Sequence, residues 1–175
     1  MDRFLYQKEI SIDDSGWGDL LLGVVIGAHK LPDHKYMDRR ISITCFQSPN
    51  FENKLYLDEA VKIAEEIVEV MRPDTETRFK VCSGYVLSSI REYLEKRGFY
   101  VEKVEITGEL QELVEASYIE WCKELGIQTE NLTGKGRFWT FLEWIKENPA
   151  EREKLVKTGW KSWKQKWRKE VFKRA

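Results

Sequence analysis

The sequence predicts a mixed α/β sheet of five strands, in the order β-β-β-α-β-α-β-α, followed by a C-terminal helical extension. Three observations carry that reading. Ile10 and Ile12 alternate with polar neighbours, the signature of a half-buried strand, and an apolar run from Leu20 to Ile26 returns beyond the Ser15-Gly16-Trp17-Gly18 turn as its hairpin partner. In the second half of the chain, strand-like runs alternate with helical stripes, which implies parallel strands joined by right-handed crossovers. At 175 residues, with 42% hydrophobic and 34% charged residues, the chain is long enough to bury a sizeable core and too apolar for a disordered one.

The elements follow in order. His29 to Arg40 is polar, contains Pro32 and reads as a loop. Residues 41–46, rich in β-branched side chains, read as a third strand that Pro49 and Asn50 stop. Residues 59–71 carry Ala60, Ile63, Ala64, Ile67, Val68 and Met71 at helical spacing, and Pro73 ends that helix. Residues 77–82 are a fourth strand, and Ser83-Gly84 turn into a helix over 85–96 that Gly98 terminates. Residues 99–106 are a fifth strand. A helix over 109–125 follows, with Leu110, Leu113, Val114, Tyr118, Trp121, Cys122 and Leu125 as its apolar face, and Gly126 ends it. These elements make a domain over residues 1–130.

Residues 131–175 form the extension. After Gly134 and Gly136, a helix spans 138–147, Pro149 breaks it, and a last helix runs over 150–173. Residues 133–175 hold 13 Lys+Arg against 5 Glu, whereas the rest of the chain is acidic. Such a basic tail points to a polyanion or to the protein's own acidic face. Trp160, Trp163 and Trp167 share one helical face, with Lys161, Lys164, Lys166, Arg168 and Lys169 on the others. The Trp stripe either docks on the domain or stacks bases while the basic residues grip phosphates.

Adjacent carboxylates at the mouth of a core strand repel each other and resist desolvation, so Asp13 and Asp14 call for a divalent cation or else merely shape the turn. Cys45, Cys82 and Cys122 match no zinc spacing and suit reduced thiols in a cytoplasmic protein. No apolar run approaches a membrane span, and no signal peptide opens the chain. His29 and His34 read as loop surface residues, with metal ligation or acid–base work as the alternative. Glu65, Glu66 and Glu69 read as a solvated helix face, or as the source of a missing ligand.

The opening stretch, Asp13-Asp14-Ser15-Gly16-Trp17-Gly18 followed by Leu22 to Ala28, resembles the type 2 ribonuclease H family, which opens with Asp-Glu-Ala-Gly-Arg-Gly and an apolar strand. Gly108-Glu109, continuing to Ala116-Ser117-Tyr118-Ile119, is similar to that family's Gly-Asp and Ala-Ser-Ile. The element order is that of the ribonuclease H-like fold. The resemblance implies a magnesium- or manganese-dependent nuclease with room for two metal ions, held by Asp13, Asp14 and Glu109 as catalytic ligands. It also implies nucleic-acid contacts from Ser15, Gly16, Trp17, Gly18 and Ser83. Ser83 stands where the family carries a fourth acid, and Trp17 stands where it carries Arg. Three classes follow: a hydrolase of RNA, DNA or a hybrid; an inactive nucleic-acid-binding or scaffold member of the fold; and a small-molecule or sugar-phosphate binder.

Overall fold

The computed structural model describes residues 8–132 and 135–173; Gly134 therefore lies outside the described residues. Five strands, β1 (Glu9–Ser15), β2 (Val24–Leu31), β3 (Lys35–Ile41), β4 (Arg78–Cys82) and β5 (Tyr100–Val104), form one sheet in the order β3-β2-β1-β4-β5. β2 runs antiparallel to both β1 and β3, while β4 runs parallel to both β1 and β5. Helices α1 (Leu55–Met71), α2 (Ser88–Lys96) and α3 (Glu109–Glu124) alternate with the later strands. Beyond them lie α4 (Arg137–Glu147), α5 (Pro149–Arg152) and α6 (Arg168–Phe172). The mixed five-stranded architecture agrees with the expectation from sequence.

Alternation along β1 sorts its side chains. Ile10 and Ile12 are fully buried and meet Phe79, Val81, Val24 and Ile26 beneath α1 and α2. Each such side chain contributes about 1.5–3 kcal/mol of transfer free energy. Glu9, Ser11, Asp13 and Ser15 take the opposite face, under α3. There Gly27, paired with Asp13, leaves room for Val114, whose Cγ1 would lie 2.4 Å from an added Cβ.

Three sequence expectations are corrected. The stretch 29–40 is not a loop: it completes β2 and forms the edge strand β3, with a turn at Pro32-Asp33-His34. The expected third strand over 41–46 contributes only Ile41; Ile43–Phe46 is a 3₁₀ turn started by the Ser42 hydroxyl, and it tucks Phe46 into the core. The last helix is not continuous over 150–173. After α5 and a 3₁₀ turn the chain extends at Val156 and Lys157 and resumes near Trp163 as a π-helical turn leading into α6.

That interruption fastens the extension. Leu21 bridges Val156, the Lys157 amide donates to the Leu20 carbonyl, and the Gly159 amide donates to the Phe46 carbonyl. Trp163, Phe141, Leu142, Ile145 and Val171 then share a second core with Leu20–Leu22, Val25, Tyr118 and Cys122. The Trp stripe thus docks: Trp163 is buried, and Trp160 and Trp167 are half-buried against the same cluster. Among the described residues, no helix is long and apolar enough to cross a membrane.

Candidate active site

β1 delivers Asp13 and Asp14 at its carboxyl end, in the centre of the sheet, where open α/β sheets gather their sites. Because successive residues alternate, Asp13 faces α3 and Asp14 faces the α1–α2 side. Asp13 is 5% exposed. Burial raises its carboxyl above the usual range; the charge of Glu105 adds to the rise, and the neighbouring Cys82 thiol and the Asp14 amide oppose it. Burial, and then the charge of Asp13, pushes the Asp14 carboxyl up to about 7. Gly84 lies against this group: a Cβ there would stand 2.8 Å from Asp14 Oδ1.

Ser83 occupies the end of β4, and its hydroxyl donates to Glu105 Oε1 at 2.6 Å. Glu105 is the acid that the sequence reading missed. It sits one residue beyond β5 and therefore at the carboxyl end of a parallel strand, a position that could have singled it out. Glu109, at the start of α3, is not brought into a common ligand group with Asp13 and Asp14. It stands with His29 and His34, whose ligand atoms and its own lie within 4.8 Å of one another. Glu66 is turned away from the strand ends into an ion pair with Arg39 at 2.6 Å.

The loop after Asp14 is held on all sides. Gly16 has φ of +98°, and a Cβ there would collide with the Tyr118 ring at 2.5 Å, so both backbone and space require glycine. The buried Ser15 hydroxyl donates to Glu115, and Arg137 bridges Glu115 and Asp19. Tyr118 Oη donates to the Leu21 carbonyl at 2.7 Å. Lys157, fully buried, donates from Nζ to the carbonyls of Gly16, Asp19 and Leu21 at 2.9, 2.6 and 3.2 Å. Burial pushes its ammonium down to about 7, with the charge of Asp19 opposing the shift.

Trp17 leaves this loop to join an aromatic group with Phe46, Tyr56 and Tyr85, at centroid distances of 6.1, 5.3 and 5.9 Å. Tyr85 is 46% exposed, and the Lys54 ammonium lies 5.8 Å from its ring. Gly18 is exposed at the turn. Of the basic residues on the extension, Lys161, Lys164, Lys166, Arg168 and Lys169 are all exposed. Lys164 pairs with Glu52 at 2.7 Å and Arg168 with Glu153 at 2.6 Å.

Comparison with solved structures settles the fold. A mutant of Bst-RNase HIII superposes with a TM-score of 0.63 at 11% identity, covering 97% of this chain and 71% of that one. The chain has the ribonuclease H-like fold. Ribonuclease H2 from Pyrococcus horikoshii OT3 matches with a TM-score of 0.48 at 14% identity, over 95% of this chain and 99% of that one. The catalytic core domain of BIV integrase matches with a TM-score of 0.39 at 11% identity, over 83% of this chain and 98% of that one. No family model matches the chain, and no curated protein matches it. In the ribonuclease H-like sheet of this chain, the central strand β1 is the one that ends in Asp13 and Asp14.

Proposed function

We propose that this chain is a metal-dependent nuclease that hydrolyses phosphodiester bonds of RNA or of an RNA/DNA hybrid by a two-metal mechanism. One observation carries the reading: consecutive carboxylates, Asp13 and Asp14, are drawn out of water at the end of the central strand, and the charge of Asp13 acts on Asp14. A buried and a half-buried carboxylate in that position suit a hard divalent cation, Mg²⁺ or Mn²⁺. Asp13 and Asp14 would hold it, and Glu105, whose charge acts on Asp13, would approach it as a further ligand. Bound metal of this kind lowers the pKa of an attacking water and neutralises the leaving oxygen.

The rest of the chemistry belongs to the chain's own groups. Ser83 fixes the Glu105 carboxylate through its hydroxyl. Gly84 leaves the space in which Asp14 is set. Trp17 and Tyr85 offer aromatic faces to a nucleoside, with Lys54 beside them for a phosphate. At the turn, the exposed Gly18 leaves room for a sugar-phosphate to approach the backbone. Lys161 and Lys169 supply sequence-independent grip on the flanking backbone. The similarity to Bst-RNase HIII adds to this reading only through the shared fold.

The test is Mn²⁺-dependent cleavage of a hybrid duplex by the wild type and by Asp13→Asn. Cleavage lost in the variant supports the nuclease. The second reading, an inactive nucleic-acid-binding or scaffold protein, is favoured by one feature: Ser83, at an expected acidic position, is uncharged and spends its hydroxyl on Glu105. Binding of the duplex by the wild type without cleavage would establish that reading instead.

A further inference from the structure

On the α3 face, one row of residues away from Asp13, the sheet carries a different set of donors. His29 of β2 pairs with Ser11 of β1, two residues before Asp13, which places it about 7 Å further down the strand. His29 is 7% exposed, and its Nδ1 is 4.0 Å from Glu109 Oε2. His34 reaches the same point from the β2–β3 turn, where its backbone takes the left-handed conformation with φ of +52°, and the two imidazoles lie 5.6 Å apart between centroids. The three ligand atoms fall within 4.8 Å of one another. They line a cleft of about 480 Å³ that also contains Glu102 and Glu105.

We propose that His29, His34 and Glu109 form a binding site for a late first-row divalent metal of the zinc class, separate from the carboxylates at the end of β1. The donor chemistry selects the metal. Two neutral imidazoles and one carboxylate suit Zn²⁺, Co²⁺ or Ni²⁺, whereas Mg²⁺ and Ca²⁺ prefer an all-oxygen shell. Ligand atoms around a tetrahedral zinc ion are separated by about 3.5 Å, given bonds near 2.1 Å. A small rotation of the exposed His34 and Glu109 side chains closes the gap from 4.8 Å, while His29 is the fixed donor in the sheet. The electrostatics agree. Lys80, which lines the cleft, is paired with Glu9 at 2.7 Å, leaving Glu102 to favour a cation. Three protein ligands leave one coordination position open to the cleft. The ligands come from β2, its hairpin turn and the start of α3, so a bound ion clips the hairpin to the helix across 75 residues of sequence.

This inference does not rest on the nuclease reading. It is tested by titrating the full chain with Co²⁺, read by visible d–d absorption, and with Zn²⁺, read by thermal melting. The wild type should take up one equivalent in saturable fashion, without a sulfur-to-cobalt charge-transfer band, and Zn²⁺ should raise its Tm. Loss of second-shell support alone costs about 10–100-fold in affinity, so removing a direct ligand in His34→Ala or Glu109→Gln should cost at least that much. Both positions are exposed, so these variants should fold like the wild type. Asp13→Asn should keep the Co²⁺ uptake that His34→Ala and Glu109→Gln lose, whatever it loses at the β1 carboxylates. No uptake at millimolar Co²⁺, uptake unchanged in His34→Ala, or a thiolate charge-transfer band would each overturn the proposal.

Discussion

The two faces of the sheet are built on opposite principles. On the α1–α2 face, β1 and β4 present Ile10, Ile12, Phe79 and Val81, all fully buried, to the apolar stripe of α1 that includes Ala60, Ile63, Ala64 and Ile67. On the α3 face the same two strands present Glu9, Ser11, Asp13, Lys80 and Cys82, to which an apolar helix cannot be sealed. α3 therefore finds its apolar partners elsewhere: Val114 sits on Gly27, and Tyr118 and Cys122 join the C-terminal helices. One face of the sheet secures the fold. The other holds the polar groups, and the extension supplies the burial that this face lacks.

Four substitutions sharpen or break that contrast. The largest effect belongs to Asp13→Asn, which should lower Mn²⁺-dependent cleavage by about a thousandfold or more while leaving the urea midpoint at or above that of the wild type, because a desolvated charge is removed. A collapse of folding in this variant would mean that the polar face is also structural. Next is Trp163→Ala, in the extension's core, which should cost about 3 kcal/mol or more in chemical denaturation. A loss below about 0.5 kcal/mol, the range of ordinary surface substitutions, would show that the second core is not needed.

Lys157→Met should cost about 2 kcal/mol, since the carbonyls of Gly16 and Asp19 lose a buried donor. Its pH dependence has a definite sign. The ammonium titrates at about 7 in the fold and at its ordinary 10.5 when unfolded, so between these values the unfolded chain holds the extra proton. The stability of the wild type relative to Lys157→Met should therefore rise as pH climbs from about 7 to 10.5; denaturant titrations at pH 7 and pH 9.5 check the direction. The smallest effect is that of Lys161→Ala, which should reduce the salt slope of duplex binding by about one charge and leave stability unchanged. An unchanged slope would remove this helix from the nucleic-acid path.

How far the sequence could be read follows from where local pattern and tertiary demand agree. The alternation of Ile10 and Ile12 and the stripe of α1 are local signals of burial, and both elements form. β3 was missed because Lys-Tyr-Met-Asp-Arg-Arg-Ile is an edge strand with only Met37 and Ile41 buried, and its charges protect the edge. Residues 42–46 had β-branched side chains, yet Phe46 is needed beneath Trp17 and Tyr56, and the chain coils to deliver it. The long terminal helix was over-read because Gly159 packs its backbone on Phe46 and Phe51, a contact with no periodic trace. At the site, Asp13 and Asp14 stood out as adjacent acids. Glu105 was hidden by a strand boundary drawn two residues too late, and the meeting of His29 with His34 and Glu109 depends on a hairpin that the loop reading had erased.

The seating of Lys157 has a consequence for biosynthesis. The turn that follows the paired acids owes its inner support to a side chain encoded 141 residues after Gly16. On the ribosome, that turn must wait with its carbonyl oxygens turned towards water until Lys157 has emerged. Nascent fragments ending before that lysine cannot complete the loop beside Asp14, so whatever the acids do waits for residue 157 to be made.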